Sequence, residues 1–257
     1  MLIVLSPAKT LDFENARIVK QDSVPEFQNE AKTLVKLLKN YKADELMHLM
    51  SISDKLATLN VSRFKTWNKE IEKQSDRQAL CAFQGDVYTG LNVADWQDAN
   101  FIFAQEHLRI LSGLYGVLRP LDYIKPYRLE MDTKLDTKKG ESLYAFWGDK
   151  INKTLQKQLD AQGDRVLINL ASNEYYKAVQ EKKLKAEIIT PVFKDFKNGE
   201  YKLISFFAKK ARGQMSRFII KNELTKPEQL KEFAVDGYYY NDKLTKGNQW
   251  AFTRDKN

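Results

Sequence analysis

The chain has 257 residues, of which 43% are hydrophobic and 30% are charged, a composition typical of a globular protein that can bury a sizeable core. No run approaches the roughly 18 consecutive apolar residues of a membrane span, and the short apolar start of the chain lacks the basic leader of a signal peptide. The single cysteine, Cys81, excludes an intramolecular disulfide and a multi-cysteine metal site. Its apolar neighbours predict a buried thiol. The use of only one cysteine fits a reducing cytoplasm best.

The first half of the chain is predicted to be mainly helical after an initial strand. Leu2–Leu5 is a short apolar strand that ends at Ser6-Pro7. Apolar residues then recur with the period of a helix over residues 26–40, 43–50, 54–67 and 99–111. Residues 79–83 are apolar throughout and are interpreted as a short strand.

The second half is predicted to contain more strands and two hairpins. A helix is predicted over residues 142–159 and a buried strand over residues 165–170. Asn198-Gly199 lies between two strand-like runs, residues 186–196 and 201–207, and indicates a hairpin. Residues 237–241 are predicted to pair with residues 249–254. Helices and strands alternate early and hairpins come late, so we predict one α/β domain of partly α+β character over residues 1–257, with a mixed sheet and flanking helices.

Positive charge is concentrated in residues 201–231. This segment has eight basic and two acidic side chains, so it carries +6 of the net charge of +8. On a helix over residues 208–221, apolar side chains share one face and basic side chains take the remaining surface. Such cations hold a polyanion through its phosphates without reading its sequence. The predicted phosphate contacts are Lys209, Lys210, Arg212, Arg217 and Lys221.

A solvated amphipathic helix is the simpler interpretation of the same pattern, and both interpretations stay open. Gly213 lies inside this helix although glycine disfavours helices by about 1 kcal/mol relative to alanine. Its presence predicts the close approach of another backbone, which includes a phosphate strand.

A glycine-containing turn separates two apolar segments between residues 108 and 126. The spacing Gly113-Leu-Tyr-Gly116 resembles the hairpin of helix-hairpin-helix modules, in which backbone N–H groups at a helix start meet a phosphate. One extra residue separates the glycines, so a plain structural turn is the alternative. The second predicted group of DNA contacts is Gly113, Gly116, Arg119, Lys125 and Arg128.

Six blocks of this sequence resemble, in order, the YaaA family of bacterial peroxide-stress proteins. They are MLIVLSPAKTLDF, FQGDVYTGL, LRILSGLYGVLRPLDYIKPYRLEM, LYAFWGD, VLINLASNEYYKAV and FFAKKARGQMSRFIIK. The resemblance covers essentially the whole chain. It implies a cytosolic protein that protects cells from hydrogen peroxide by keeping free iron low, and so limits oxidative damage to DNA. It also implies a compact α/β unit with a positively charged cleft and a helix-hairpin-helix-like element, associated with binding of duplex and branched DNA.

A direct iron site is not predicted. Glu45 and His48 have the Glu-x-x-His spacing that places two ligands on one helix face, but a carboxylate-bridged di-iron site needs two such motifs and further glutamates. The other histidine, His107, follows Glu106 directly and offers no second copy. We therefore predict no metal site, no cofactor and no evident protein partner.

Polar side chains directly follow two apolar strands, which suggests an enzyme as the alternative function. If the two strands are parallel neighbours, both polar sets line the crevice at the carboxyl ends of the sheet, where open α/β folds bind ligands. Lys9 and Glu174 would then be a nucleophile or acid–base pair. The candidate catalytic residues are Lys9, Thr10, Asp12, Ser172, Asn173 and Glu174. The simpler interpretation is that Ser172 caps its helix and that Lys9 and Asp12 form an ion pair within their loop.

The leading hypothesis from sequence is a cytosolic peroxide-stress protein that binds duplex or branched DNA through the phosphate backbone, largely without sequence specificity. The alternative is an enzyme that acts on a small anionic or nucleotide-like substrate in a crevice lined by Lys9 and Glu174. No phosphate-binding loop, dinucleotide fingerprint, nucleophile elbow or zinc motif occurs in the sequence, so no reaction is specified.

Overall fold

Residues 1–255 are described by a computed structural model, in which helices and strands alternate along the chain. The strands are β1 (Leu2–Leu5), β2 (Thr10–Leu11), β3 (Arg77–Gln78), β4 (Phe83–Gln84), β5 (Leu108–Ser112), β6 (Gly116–Leu118), β7 (Tyr123–Ile124), β8 (Val166–Leu170), β9 (Glu187–Lys197), β10 (Glu200–Lys202), β11 (Tyr239–Tyr240) and β12 (Gln249–Arg254). The helices are α1 (Gln28–Leu38), α2 (Ala43–Met50), α3 (Asp54–Thr66), α4 (Ala79–Ala82), α5 (Asp86–Leu91), α6 (Asp98–His107), α7 (Leu143–Trp147), α8 (Lys150–Gln162), α9 (Asn173–Tyr176) and α10 (Ser205–Lys221). Within residues 1–255, no helix combines the length and the apolar character that crossing a membrane requires.

The main sheet has the strand order β11-β12-β9-β8-β1-β5-β6, with β10 paired to β9. Its central strands β5, β1, β8, β9 and β12 are all parallel, and antiparallel β6 and β11 flank them. Numbered along the chain, the parallel strands lie in the order 2-1-3-4-5. This order has a topological switch point between its strands 1 and 3, which are β1 and β8 here. The predicted α/β fold with a mixed sheet and flanking helices is confirmed.

Burial explains why the central strands form. Every residue of β1, β5 and β8 is buried, as expected for parallel strands that are covered on both faces. Their apolar side chains belong to a hydrophobic cluster that runs from Met1 to Phe252. The helices contribute through apolar stripes, such as the buried positions Ala31, Leu34, Val35 and Leu38 of α1. The sheet therefore forms the middle layer of the core.

Several predicted boundaries were wrong where a tertiary partner outweighed local periodicity. The predicted helix over residues 99–111 ends at His107, and residues 108–112 instead form β5, because β1 supplies a parallel partner. Residues 79–83 form mostly the short helix α4 rather than a strand. The predicted helix over residues 142–159 is two helices, separated at Gly148 with φ of 51°. Residues 205–207 belong to α10 rather than to a strand.

Both predicted hairpins are confirmed. Strands β9 and β10 pair antiparallel across Asn198-Gly199, and both of these residues have positive φ, as such turns require. Strands β11 and β12 also pair antiparallel. Turn chemistry is local, so these features could be read directly from the sequence.

The turn Gly113–Gly116 joins two strands, so the helix-hairpin-helix-like element predicted there is wrong. It connects β5 to β6, and both glycines are buried. A Cβ atom on Gly113 would overlap the carbonyl oxygen of Leu129, and one on Gly116 would lie 2.7 Å from the Trp147 ring. These glycines allow the protein's own chain to pack closely. Their predicted contact with a phosphate stays a prediction without geometric support.

Gly213 allows two helices to pack at backbone distance. A Cβ atom at this position of α10 would overlap the carbonyl oxygen of Val87 in α5. Gly90 of α5 lies in the same way against the carbonyl oxygen of Lys210. The close approach that Gly213 predicted therefore exists, and the neighbouring backbone is α5.

Replacing Gly213 with alanine should lower the free energy of unfolding by about 1–3 kcal/mol, because the new methyl group must push α10 away from α5. Helix propensity alone predicts the opposite change, since alanine is favoured over glycine in a free helix by about 1 kcal/mol. A loss of stability would therefore report the packing against α5. Urea denaturation measures the change, with Lys209→Ala at an exposed position of the same helix as the control. A Gly213→Ala protein as stable as the wild type would contradict this packing.

Candidate functional site

The carboxyl ends of β1 and β8 lie side by side at the switch point of the sheet. The two strands pair in parallel from Leu2–Leu167 to Leu5–Leu170, so the residues that follow the two strands lie next to each other. The backbone N–H of Ser172 donates to Ser6 Oγ at 2.8 Å, and the Ser6 hydroxyl donates to Ser172 Oγ at 3.2 Å. Open parallel sheets bind ligands at such a point. The two strands are thus the parallel neighbours that the predicted crevice required, and we call this place the switch-point crevice.

Lys9 lies at the rim of this crevice, with 61% of its side chain exposed. Its Nζ is 3.2 Å from Glu130 Oε1. The guanidinium of Arg128 donates to the same oxygen, from Nε at 3.0 Å and from an NH₂ group at 2.9 Å. Two cations therefore converge on one carboxylate. The alternative ion pair between Lys9 and Asp12 was a wrong interpretation.

Asp12 instead organises its own loop. Its Oδ1 accepts hydrogen bonds from the backbone N–H groups of Asn15 and Glu14, and the bond from Asn15 is the largest cause of a lowered Asp12 pKa. Thr10 is exposed and begins β2, opposite Gln84. Both residues follow β1 closely along the chain, and the contacts described here are structural.

Glu174 carries the second carboxylate of the crevice. Its Oε1 accepts a hydrogen bond from the backbone N–H of Met131 at 3.1 Å, and its backbone carbonyl accepts one from the Tyr144 hydroxyl at 2.8 Å. Burial raises the pKa of Glu174, and the nearby carboxylates Asp132 and Glu130 raise it further, against an opposing effect of Lys9. A carboxyl group with a raised pKa holds its proton to a higher pH than usual, which is a property of groups that transfer protons.

Ser172 and Asn173 begin helix α9 without acting as caps. The Ser172 side chain makes no capping hydrogen bond, so the interpretation of Ser172 as a simple helix cap was wrong. Asn173 is exposed. Helix α9 has only four residues, and its dipole is too short to bind an anion by itself. Electrostatic attraction at this crevice must come from the side chains of Lys9 and Arg128.

Tyrosines form the walls of the crevice. Tyr127 and Tyr175 are buried, and burial raises the pKa of both phenols, so they remain neutral. The hydroxyl of Tyr127 lies 2.6 Å from Ser112 Oγ at the end of β5. The enclosed space is only about 10 Å³, close to what one water molecule occupies. This space is too small for a substrate, so a ligand at this crevice would have to lie across the open rim beside Lys9.

The crevice contains residues that sequence reasoning missed. Arg128 was assigned to DNA, whereas it lies beside Lys9, and Glu130 and Tyr127 were not singled out. All three come from the segment after β7, which has no regular secondary structure until α7. The block LRILSGLYGVLRPLDYIKPYRLEM that carries the family resemblance contains them, and this was the available signal.

The basic face of α10 is partly neutralised by carboxylates from other segments. Arg217 donates to both oxygens of Asp95, at 2.8 and 2.5 Å, and these hydrogen bonds lower the pKa of Asp95 to about 2. Lys221 lies 3.7 Å from the same carboxylate, and Lys210 lies 3.1 Å from Asp236. Lys209 is exposed, whereas Arg212 is half-buried, and burial lowers its pKa.

The second predicted group of DNA contacts is spread over three local environments. Arg119 donates from Nε and an NH₂ group to buried Asp122, at 3.1 and 3.0 Å. Lys125 donates to buried Asp76 at 3.0 and 3.1 Å. Arg128 belongs to the switch-point crevice. Each cation pairs with a nearby carboxylate, which for Arg128 is the Glu130 that it shares with Lys9. Their joint action in one DNA-binding trough stays a prediction.

The histidines and the cysteine have structural explanations. Glu45 accepts a hydrogen bond from the backbone N–H of Lys42 at 2.7 Å and so closes the start of α2, while His48 is exposed. His107 stacks on Phe103. Within residues 1–255, no group of three or more His, Cys, Asp or Glu side chains is arranged to hold a metal ion. Cys81 is 3% exposed, and burial raises its pKa to about 12, which confirms the predicted buried thiol and leaves it protonated.

Comparison with known proteins identifies the family. A family model described as peroxide stress protein YaaA matches residues 1–244. A UPF0246 protein of Hahella chejuensis (strain KCTC 2396) is 53% identical over 255 residues, which cover 99% of this chain and 100% of that protein. The chain belongs to the peroxide stress protein YaaA family, as the resemblance indicated.

Replacing Glu174 with glutamine should change the pH dependence of stability in a defined direction. Because the Glu174 pKa is raised on folding, its stabilising contribution is fully present below the ordinary value of 4.5 and is lost as the pH rises through the folded pKa. The stability of Glu174→Gln should therefore improve relative to the wild type as the pH rises from below 4.5 through the raised folded pKa of Glu174. Urea denaturation at constant ionic strength measures this, with exposed Glu187→Gln as the control. A difference that does not vary with pH would argue against the perturbed carboxyl group.

Proposed function

We propose that this member of the peroxide-stress family is a cytoplasmic enzyme that transfers protons on a small anionic, nucleotide-like substrate in the switch-point crevice. The convergence of Lys9 and Glu174 at the carboxyl ends of adjacent parallel strands, with the Glu174 pKa raised, supports this proposal most strongly. Lys9 binds the negatively charged group of the substrate. Glu174 donates or accepts the proton.

The exposure of the two groups supports these roles. Lys9 is exposed at the rim and is held near Glu130 by an ion pair at 3.2 Å. A pair at such an exposed site is worth about 1 kcal/mol or less, so an anionic substrate can displace Glu130 from the lysine. Arg128 is mostly buried beside Glu130 and continues to neutralise this carboxylate when Lys9 engages a ligand. Glu174 is half-buried, so its proton is shielded from bulk water but within reach of the rim.

The failure of the simpler explanations also favours this site. The Ser172 hydroxyl bonds to Ser6 across the two strands rather than capping α9, and Lys9 reaches Glu130 across the crevice rather than Asp12 in its own loop. Side chains that satisfy one another across separate segments form a pre-organised arrangement, as a reacting site requires.

The variants Lys9→Met and Glu174→Gln should abolish or strongly reduce peroxide protection while leaving the fold and the affinity for DNA unchanged. Survival in hydrogen peroxide is measured in a bacterial strain that lacks its own family member, with protein levels and circular dichroism compared. Lys20→Met and Glu187→Gln change the same charges at exposed positions and serve as controls. Full protection by both crevice variants would exclude this site from the function.

The second candidate function is sequence-nonspecific binding of DNA that limits iron-dependent oxidative damage. The row of Lys210, Arg217 and Lys221 along α10 favours it, together with the net charge of +8. Exposed ion pairs contribute little free energy, so a polyanion can compete for these cations. Asp95 argues against DNA binding at this surface, because this 55% exposed carboxylate contacts both Arg217 and Lys221 and would repel a phosphate.

Two opposite changes test the α10 surface. Alanine at Lys210, Arg217 and Lys221 should weaken DNA binding and flatten its salt dependence by about 0.9 log units per lost phosphate contact per decade of salt. Asp95→Asn should strengthen binding, because it releases Arg217 and Lys221 from their carboxylate. Both are measured by fluorescence anisotropy over a salt series.

A triple alanine variant at exposed Lys182, Lys183 and Lys185 removes the same charge elsewhere and serves as the control. Equal losses in the two triple variants, with no gain for Asp95→Asn, would show that only the overall charge matters. The α10 surface would then be excluded as the DNA contact. These outcomes are independent of Lys9 and Glu174.

A further inference from the structure

A buried arginine on β5, the strand next to the edge strand β6 of the main sheet, donates hydrogen bonds only to neutral oxygen atoms. Arg109 lies on β5 and is 4% exposed. Its guanidinium donates to the backbone carbonyls of Gln105 at 2.9 Å and Leu108 at 2.7 Å, and to Gln158 Oε1 at 2.8 Å. By contrast, the largely buried guanidinium of Arg254 pairs with Asp195. Arg109 thus has hydrogen-bond partners but no carboxylate bonded to it.

This arginine remains charged at physiological pH. Burial lowers its pKa to about 10, which still leaves it protonated near neutrality. A buried charge that is bonded only to neutral groups costs free energy relative to a paired one. An oxyanion that bound beside Arg109 would supply the missing charge partner.

A cavity of about 330 Å³ adjoins Arg109. Strand β6 contributes Val117, and helix α8 contributes Thr154, Lys157, Gln158 and Ala161. The volume is in the range of small-molecule sites, which begins at about 300 Å³. None of its lining residues is shared with the switch-point crevice. The cavity is therefore a separate place, which we call the Arg109 cavity.

The charges around the Arg109 cavity leave positive charge available to a ligand. Arg119 and Asp122 line the cavity but bond to each other. Glu26 accepts a hydrogen bond from Thr154 at 3.1 Å on the exposed side. Lys157 is exposed, and no carboxylate within residues 1–255 lies within ion-pair distance of it. The two positive charges of Arg109 and Lys157 therefore outnumber the one negative charge of Glu26, which has no ion-pair partner within residues 1–255.

We propose that the Arg109 cavity binds a small molecule through an oxyanion group, a phosphate or a carboxylate, held by Arg109 from the inside and Lys157 from the outside. A guanidinium presents paired donors that match either oxyanion. A nucleic-acid backbone does not suit this role, because Arg109 is 4% exposed and lies against a cavity of small-molecule size. The proposal does not depend on the function of the switch-point crevice.

Binding of inorganic phosphate and of succinate to the intact protein tests the proposal. Both are titrated by calorimetry and in thermal denaturation, at constant ionic strength with chloride as the reference ion. At least one should bind saturably and raise the melting temperature beyond chloride, which also identifies the preferred oxyanion. Lys157→Glu should weaken that binding about tenfold or more, since it replaces an attractive charge with a repulsive one.

Lys153→Glu on the same helix is the matched control, because it makes the same charge change at an exposed position outside the cavity lining, and it should bind the anion like the wild type. Arg109→Met should lose binding entirely if it folds; if it does not fold, the two lysine variants decide. Stabilisation no greater than that of chloride, or equal binding by Lys157→Glu and the wild type, would overturn the proposal.

Discussion

The parallel pairing of β1 with β5 on one side and with β8 on the other is the constraint on which the rest of the structure depends. After β1 the chain forms β5 on one side of β1 and later β8 on the other side. The crevice therefore lies where β1 and β8 end, at Ser6 and Ser172. All three strands are buried, and apolar contacts on both faces hold this pairing in place. The order of the strands sets the position of the crevice, and the side chains set its chemistry.

Strand β5 connects the two places where we propose that ligands bind. Its last residue, Ser112, bonds to Tyr127 in the wall of the switch-point crevice. Three positions earlier, Arg109 faces the other cavity and pairs in register with Val4 of β1. A rigid, fully buried strand holds both groups in position, as precise binding sites require. The two sites are distinct in chemistry: one combines a lysine with a carboxyl group of raised pKa, and the other presents a buried guanidinium.

Ion pairs between distant segments decide how much of the positive charge can bind a partner. Asp95 and Asp236 neutralise part of the basic face of α10, and buried Asp76 and Asp122 hold Lys125 and Arg119. The net charge of +8 is therefore a property of the composition and does not define a binding surface by itself. Glycines show that tertiary neighbours also decide packing, since Gly113 and Gly213 each allow a close backbone contact within the chain.

The sequence by itself determined the features that depend on neighbours along the chain. These include the amphipathic helices α1 to α3 and α10, the turn at Asn198-Gly199, the buried Cys81 and the polar residues that follow β1 and β8. Only the tertiary structure decided that residues 108–112 form a strand, that Arg128 and Glu130 complete the switch-point crevice, and that Arg109 lacks a bonded carboxylate. The physical reason is that periodicity and turn chemistry act over a few residues, whereas a strand partner or a counter-ion can come from more than a hundred residues away, as β1 does for β5 and Asp95 does for Arg217.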